Sequence, residues 1–263
     1  MLLYRIGPEG FYAAAEDAAA AAAGDLRVLY SDPFTTAPGG WELGRAVDPG
    51  SAAPLAPLAP GKIVGIGRNY LEHVRELGNE APTEPVIFLK AISAVVGPRS
   101  PVVLPPESRR VDHEGEIAVV LRERLTRGAT PDEARGAVLG VTCVDDVTAR
   151  DLQRSDSTFA RSKGFDTFCP LGPAIWIGAD LEDLEVITRV NGEVRQHGRT
   201  RDMAWPIVDL LVYAARMMTL EAGDLVLTGS PPGVGPLLDG DRVEVEIPGL
   251  GILEHGVEAY RGD

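Results

Sequence analysis

The stretch Asp112-His113-Glu114-Gly115-Glu116-Ile117-Ala118-Val119-Val120-Leu121 decides how the rest of the chain is read. Its apolar, β-branched second half has the composition of a buried strand. Side chains two apart on a strand point to the same face, so Glu114 and Glu116 aim two carboxylates at one spot. Gly115 leaves the backbone open between them. Two bare carboxylates side by side repel, and one protonates unless a cation sits between them. Only oxygen donors are on offer, which suits Mg²⁺, Mn²⁺ or Ca²⁺ better than zinc. Read alone, the pair also fits two glutamates on the wet face of an edge strand. The remainder of the chain has to choose between these readings.

The 263 residues suit one large domain, or one domain plus a small one, and 44% hydrophobic content is enough for a sizeable core. The net charge of −14 argues against nucleic acid and against an anionic membrane surface as partners. It leaves room for a small anionic substrate, because a local cluster of cations overrides the global field. The two cysteines, Cys143 and Cys169, form no zinc or disulfide pattern and read as reduced core thiols. No run of residues reaches the length of a membrane span. The alanine-rich run 13–23 is interrupted by Glu16 and Asp17 and is expected to be a short helix rather than a signal peptide, so the protein is expected to be cytoplasmic. Of the 25 basic residues only Lys62, Lys90 and Lys163 are lysine, which suggests that an ammonium is specifically needed at some of them.

Residues 1–58 are expected to form a small α/β subdomain that ends in the Pro/Ala linker 51–60, with 59–263 as the main domain. The main domain opens with a strand, Lys62 to Gly67, and a helix, Leu71 to Leu77. On that helix His73 and Glu76 are three apart and share a face, so the carboxylate can fix the tautomer of a general base. A solvated His–Glu pair on a surface helix is the other reading. Thr130-Pro131-Asp132-Glu133 has the pattern of a capping box, and Gly140 is expected to end that helix. Val141 to Val144 reads as a strand that delivers Asp145 and Asp146 at its end. Residues 161–166 read as a loop, and Pro170-Leu171-Gly172-Pro173 as a turn before a strand from Ala174 to Ile177. Asn191-Gly192 is a hairpin turn signal, Pro206 to Met218 an apolar helix, and 242–247 and 252–259 an antiparallel pair. The fold class is therefore α+β and mainly β. Strands and helices do not alternate regularly, which counts against a Rossmann or barrel fold.

Six motifs occur in one order. They are Gly67-Arg68-Asn69-Tyr70 with His73 and Glu76; Glu114-Gly115-Glu116; Asp146-Val147-Thr148-Ala149-Arg150-Asp151; 163–170, which begins with Lys163; 191–196; and Thr228-Gly229-Ser230-Pro231. This order resembles the fumarylacetoacetate hydrolase family over roughly residues 60 to 260, and the short N-terminal region is similar to that of its bacterial 2-hydroxyhepta-2,4-diene-1,7-dioate isomerase-like members. The resemblance implies a mixed β-roll or sandwich and a homodimer. It implies Mg²⁺ or Mn²⁺ held by Glu114, Glu116 and Asp146, with Ca²⁺ able to replace it in crystals. Asp145, where many members carry a neutral residue, leaves the choice of third ligand open. The resemblance assigns catalysis to His73, Glu76 and Lys163. It assigns contact with the substrate to Arg68, Arg150, Gln153, Thr228, Gly229 and Ser230, the last standing where the family usually has threonine. The implied substrate is a small anionic 2-oxo or 2-hydroxydienoic dicarboxylate, on which the cation acts as a Lewis acid toward a developing enolate. Isomerase or decarboxylase chemistry of aromatic catabolism is the leading expectation. An acylpyruvate C–C hydrolase or an oxaloacetate decarboxylase is the first alternative, and a non-catalytic binding protein the second. A zinc hydrolase is disfavoured, because the four histidines are scattered and no His-Glu-x-x-His helix exists.

Overall fold

The computed structural model describes residues 1–47, 54–76, 78 and 80–262. Its largest sheet is built around the quoted stretch. The strand Gly115–Leu121, every residue of which is buried, runs antiparallel to Val138–Asp145 on one side and to Leu225–Leu227 on the other. Ile63–Gly67 and Val86–Lys90 extend the sheet beyond Leu225–Leu227. Cys169–Ile177 extends it beyond Val138–Asp145. A central strand shielded on both faces needs the continuous apolar run that Ile117–Leu121 supplies.

The strands Leu2–Ile6, Phe11–Ala15, Leu26–Leu29 and Leu43–Val47 join the same sheet, because Leu2–Ile6 pairs with Cys169–Ile177. The alanine run divides: Ala13–Ala15 complete a strand, and only Ala18–Ala22 are helical, capped by the Asp17 carboxylate on Ala20 N–H at 2.8 Å. Of the Pro/Ala segment, 51–53 lie outside the described residues. Pro54 bridges Ile6, and Leu58 is 1% exposed within the main core, so these residues are packed.

A five-stranded sheet, in the order Glu193–Arg199, Glu185–Val190, Arg242–Ile247, Gly251–Ala259, Val102–Leu104, covers the large one. The Asn191-Gly192 turn joins its first hairpin with both residues at positive φ, 54° and 81°, as a primed turn requires. A three-stranded ribbon of Thr148–Ala149, Val111–His113 and Gly235–Pro236 ties the start of the acidic stretch to two loops.

Three local expectations are corrected. The helix with the Thr130 capping box is Pro131–Gly136, and Gly140 lies inside the next strand, Val138–Asp145. There the backbone of Trp176 leaves no room for a Cβ, which explains the glycine. Ala160–Lys163 is a short helix rather than a loop. Cys169–Ile177 is one strand through Gly172 and Pro173, whose irregularity is absorbed as a shift of register against Val141 and Cys143.

Gly115 is where the two large sheets touch. A Cβ there would lie 2.0 Å from Thr188 Oγ1 and 3.1 Å from Val245 Cγ2. Its φ is not in the left-handed region, so the constraint is space and not conformation. Gly115→Ala should therefore destabilise the fold by about 1–3 kcal/mol through overpacking. Thr188→Ala in the same chain should recover part of that loss, since Thr188 Oγ1 has no hydrogen-bond partner to lose. Chemical denaturation of the two single variants and the double variant reads the coupling, and purely additive losses would contradict the contact.

Candidate active site

Glu114 sits at the break between Val111–His113 and Gly115–Leu121, and Glu116 two residues on. Asp146 follows the end of the neighbouring strand, and its N–H donates to Glu114 O at 2.9 Å, which locks the two segments together. One oxygen from each of Glu114, Glu116 and Asp146 lies within 4.8 Å of the others. The exposures are 6%, 2% and 1%, so the edge-strand reading fails. Asp145 faces the other way: it accepts the Glu114 N–H at 2.7 Å and meets buried His255 Nε2 at 2.9 Å. The third member of the cluster is therefore Asp146.

Positive charge and donors surround the cluster. Lys163 Nζ donates to Glu114 Oε2 at 3.0 Å and to Asp146 Oδ2. Arg150 donates to Glu114 Oε1 at 2.5 Å, to Asp112 Oδ2 at 3.0 Å and to Gln153 Oε1 at 2.6 Å. The Ser230 hydroxyl lies between the glutamates, 3.0 Å from Glu114 Oε2 and 2.9 Å from Glu116 Oε1. Gly229 N–H donates to Glu116 Oε2 at 2.7 Å. Lys90, which the motifs did not single out, lies 2.9 Å from Asp146 Oδ1 and donates to the carbonyl of Lys163 at 2.6 Å. Two of the chain's three lysines thus serve this cluster, and the scarcity of lysine was the signal that pointed to Lys90. Asp112, which holds Arg150 in place, carried no such signal.

The electrostatics follow from this layout. Burial alone would raise Glu114, but Lys163 and then Arg150 hold its carboxyl well below the usual range. Burial and then the Asp146 charge push Glu116 well above it, and Lys163 offsets this only in part. Burial would lower Lys163, yet Asp146, Glu114 and Glu116 raise it, so it stays an ammonium. The Cys143 and Cys169 thiols are pushed up to about 12 by burial, which removes both as thiolate nucleophiles.

A cavity of about 300 Å³ opens over the cluster. Its walls include Arg68, His73, Arg150, Gln153, Lys163 and Ser230. His73 is buried on the helix Leu71–Glu76, and its Nδ1 lies 3.1 Å from Glu76 Oε2. Both Glu76 oxygens accept the Gly233 N–H at 3.0 Å, so the carboxylate is an acceptor and Nδ1 carries the proton. In the neutral ring Nε2 is then the nitrogen that carries the lone pair. Glu76 reaches the cavity through His73, and Gly229 through its N–H on Glu116 Oε2. Thr228, expected at the substrate, donates its hydroxyl to Ile117 O at 2.8 Å, at the seam of two central strands.

The residues present fit a divalent cation. Three buried carboxylates converge, and among the described residues Asp146 Oδ1 meets Lys90 as an ion pair but accepts no hydrogen bond. Burial and then the Asp146 and Glu114 charges disfavour the ionised form of Glu116, which Lys163 offsets only in part, and a cation among the three carboxylates would favour it.

Residues 62–258 match the fumarylacetoacetate (FAA) hydrolase C-terminal family, and the chain belongs to that family. It is similar to the structure of 5-carboxymethyl-2-hydroxymuconate delta-isomerase from Mycobacterium smegmatis, 38% identical with a TM-score of 0.88, over 99% of this chain and 100% of that one. It is similar to 2-hydroxyhepta-2,4-diene-1,7-dioate isomerase from Mycobacterium marinum, 38% identical with a TM-score of 0.87, over the full length of both. Oxaloacetate tautomerase FAHD2A, mitochondrial, of Homo sapiens is 43% identical over 212 residues, which span 76% of this chain and 67% of that protein. The protein is an enzyme of this family, and its mainly β architecture is that of its structural neighbours. Among the described residues no helix is long and apolar enough to cross a membrane.

The upward shift of Glu116, caused by burial and the Asp146 charge, has a measurable consequence. Where a group's folded pKa is raised, the folded chain keeps a proton that the unfolded chain releases, so stability falls as pH rises from the ordinary carboxylate range toward the folded value. Glu114, shifted down, acts in the opposite sense and only below that range. Without divalent cation, stability measured by denaturation should therefore fall over this window in the native chain. The fall should be shallower in Glu116→Gln, where an amide replaces the neutral acid. An identical pH slope in the variant would contradict the assignment.

Proposed function

We propose that this enzyme uses a divalent cation, Mg²⁺ or Mn²⁺, held by Glu114, Glu116 and Asp146, to act on 2-oxo or 2-hydroxydienoic dicarboxylates through their enol forms. The carrying observation is the buried carboxylate cluster with Lys163 and Arg150 against it and His73 on the same cavity wall. When bound, the cation supplies Lewis-acid charge to the oxygens of the 2-oxo acid group. Arg150 has donors left after meeting Asp112, Glu114 and Gln153, and these are available to a substrate carboxylate. The Lys163 ammonium gives its donors to Glu114 and Asp146, and one can turn to an oxygen that gains negative charge. His73 Nε2 takes a proton from the carbon next to the 2-oxo group, and Glu76 holds the imidazolium that results.

Isomerisation or decarboxylation of a substrate of the 2-hydroxyhepta-2,4-diene-1,7-dioate type is the leading reading, supported by the full-length likeness to the Mycobacterium marinum isomerase. Isomerisation requires His73 to return the proton at another carbon, and decarboxylation requires only loss of the distal carboxylate and protonation. The likeness to oxaloacetate tautomerase favours a second reading, in which the same proton moves between carbon and oxygen of a four-carbon dicarboxylate.

Turnover with Mg²⁺ of the heptadienedioate, oxaloacetate and acetylpyruvate separates these readings. The heptadienedioate should be the best substrate, and His73→Ala should lower its kcat by about 10²–10⁴-fold. Fast enol–keto exchange of oxaloacetate alone would move the assignment to the tautomerase. Cleavage of acetylpyruvate alone would move it to a C–C hydrolase. No turnover of any of the three with cation bound would contradict the proposal.

A further inference from the structure

The outer half of the cavity has a built order. The helix Arg150–Ser155 forms one wall, and Arg150, Gln153 and Arg154 stand on it at i, i+3 and i+4, on one face. All three line the cavity. Burial falls along the row: Arg150 is 2% exposed, Gln153 half-buried and Arg154 exposed. Arg150 is held by Asp112, Glu114 and Gln153. Among the described residues no hydrogen bond or ion pair engages the Arg154 guanidinium. A charged fork at the cavity mouth with no protein partner is available to a ligand.

Aromatic rings line the same cavity. Phe88 pairs across the strands with Gly65, where a Cβ would fall 2.1 Å from its ring, so the ring lies over the glycine. Phe159 meets Phe88 edge-on at 5.7 Å between centroids, and Lys163 Nζ lies 5.0 Å from the Phe88 centroid. The cavity thus offers an inner end where Lys163 and Arg150 meet the carboxylate cluster, aromatic walls and a cationic mouth. A step of i to i+4 along the helix separates the two arginines by roughly 6 Å along the axis.

We propose that Arg154 is a specificity-determining residue that binds the far carboxylate of an elongated dicarboxylate, whose 2-oxo end lies at the Glu114–Glu116–Asp146 cluster and whose flat middle lies against Phe88 and Phe159. This rests on the 2-oxo acid reading of the inner site and goes beyond it by fixing where the second charge goes. The helical spacing favours a second carboxylate several bonds beyond the first over one only two carbons away. A guanidinium at the mouth can take it bidentately, while its exposure makes the contact sensitive to salt.

Calorimetric titration of the full chain in Mg²⁺ with oxalate, 2-oxoheptanoate and 2-oxoheptanedioate tests this. The wild type should bind the dioate about tenfold more tightly than the mono-acid. In Arg154→Met, which keeps an unbranched stem and loses the fork, the ratio of the two affinities should fall to near one, and high salt should shrink it in the wild type. A ratio unchanged by the substitution, or no preference for the dioate in the wild type while oxalate binds, overturns the role of Arg154 alone. If oxalate itself does not bind, the 2-oxo acid reading of the inner site falls and the Arg154 assignment falls with it.

Discussion

Three carboxylates buried within 4.8 Å of one another cannot all carry charge in a dry interior without compensation. Desolvating each ion costs several kcal/mol, and removing one partner from a buried pair typically costs about 3–5 kcal/mol. The surroundings of Glu114, Glu116 and Asp146 consist largely of compensation: the Lys163 and Lys90 ammonium groups, the Arg150 guanidinium, the Ser230 hydroxyl and the Gly229 N–H. Burial and then the Asp146 charge still push the Glu116 carboxyl up, and Lys163 offsets this only in part. A site left short of positive charge at one carboxylate binds a cation better than a fully neutralised one. Stability is given up locally, and the rigid central sheet supplies the rest.

The rigidity comes from where the cluster sits. Glu116 lies on a strand paired on both edges, Asp146 is tied to Glu114 by a backbone hydrogen bond, and Gly115 lets the second sheet approach to contact distance. His73 is fixed from another direction, through Glu76 to the Gly233 N–H. His73 and the carboxylates therefore reach one cavity from separate elements, which leaves the space between them open. The net charge of −14 does not bar an anionic substrate, since Arg68, Arg150, Arg154 and Lys163 all line this cavity.

Much of this was legible from short-range physics. The period of two along the strand placed Glu114 and Glu116 together, the Thr130 capping box and the Asn191-Gly192 turn were read correctly, and motif order identified the family. What escaped depends on long-range packing. Pro170-Leu171-Gly172-Pro173 has turn chemistry, but hydrogen bonding to Val138–Asp145 keeps it in a strand. Ala13–Ala15 have helix propensity, but the neighbours Leu2–Ile6 and Leu26–Leu29 draw them into the sheet. Propensity loses to pairing in both cases. Lys90 and Asp112 act through residues far away in sequence, so no local motif marks them, and the turning of Thr228 toward Ile117 is visible only once strands 115–121 and 225–227 are side by side.

The central claim is that the carboxylate cluster, and no other part of the chain, holds the divalent cation beside the substrate. Anomalous diffraction from crystals grown with Mn²⁺ and oxalate measures this directly. The account predicts one strong manganese peak enclosed by Glu114, Glu116 and Asp146, with oxalate on its cavity side. A manganese peak elsewhere, with Lys163 still bound to Glu114 and Asp146 and nothing between the carboxylates, would contradict it.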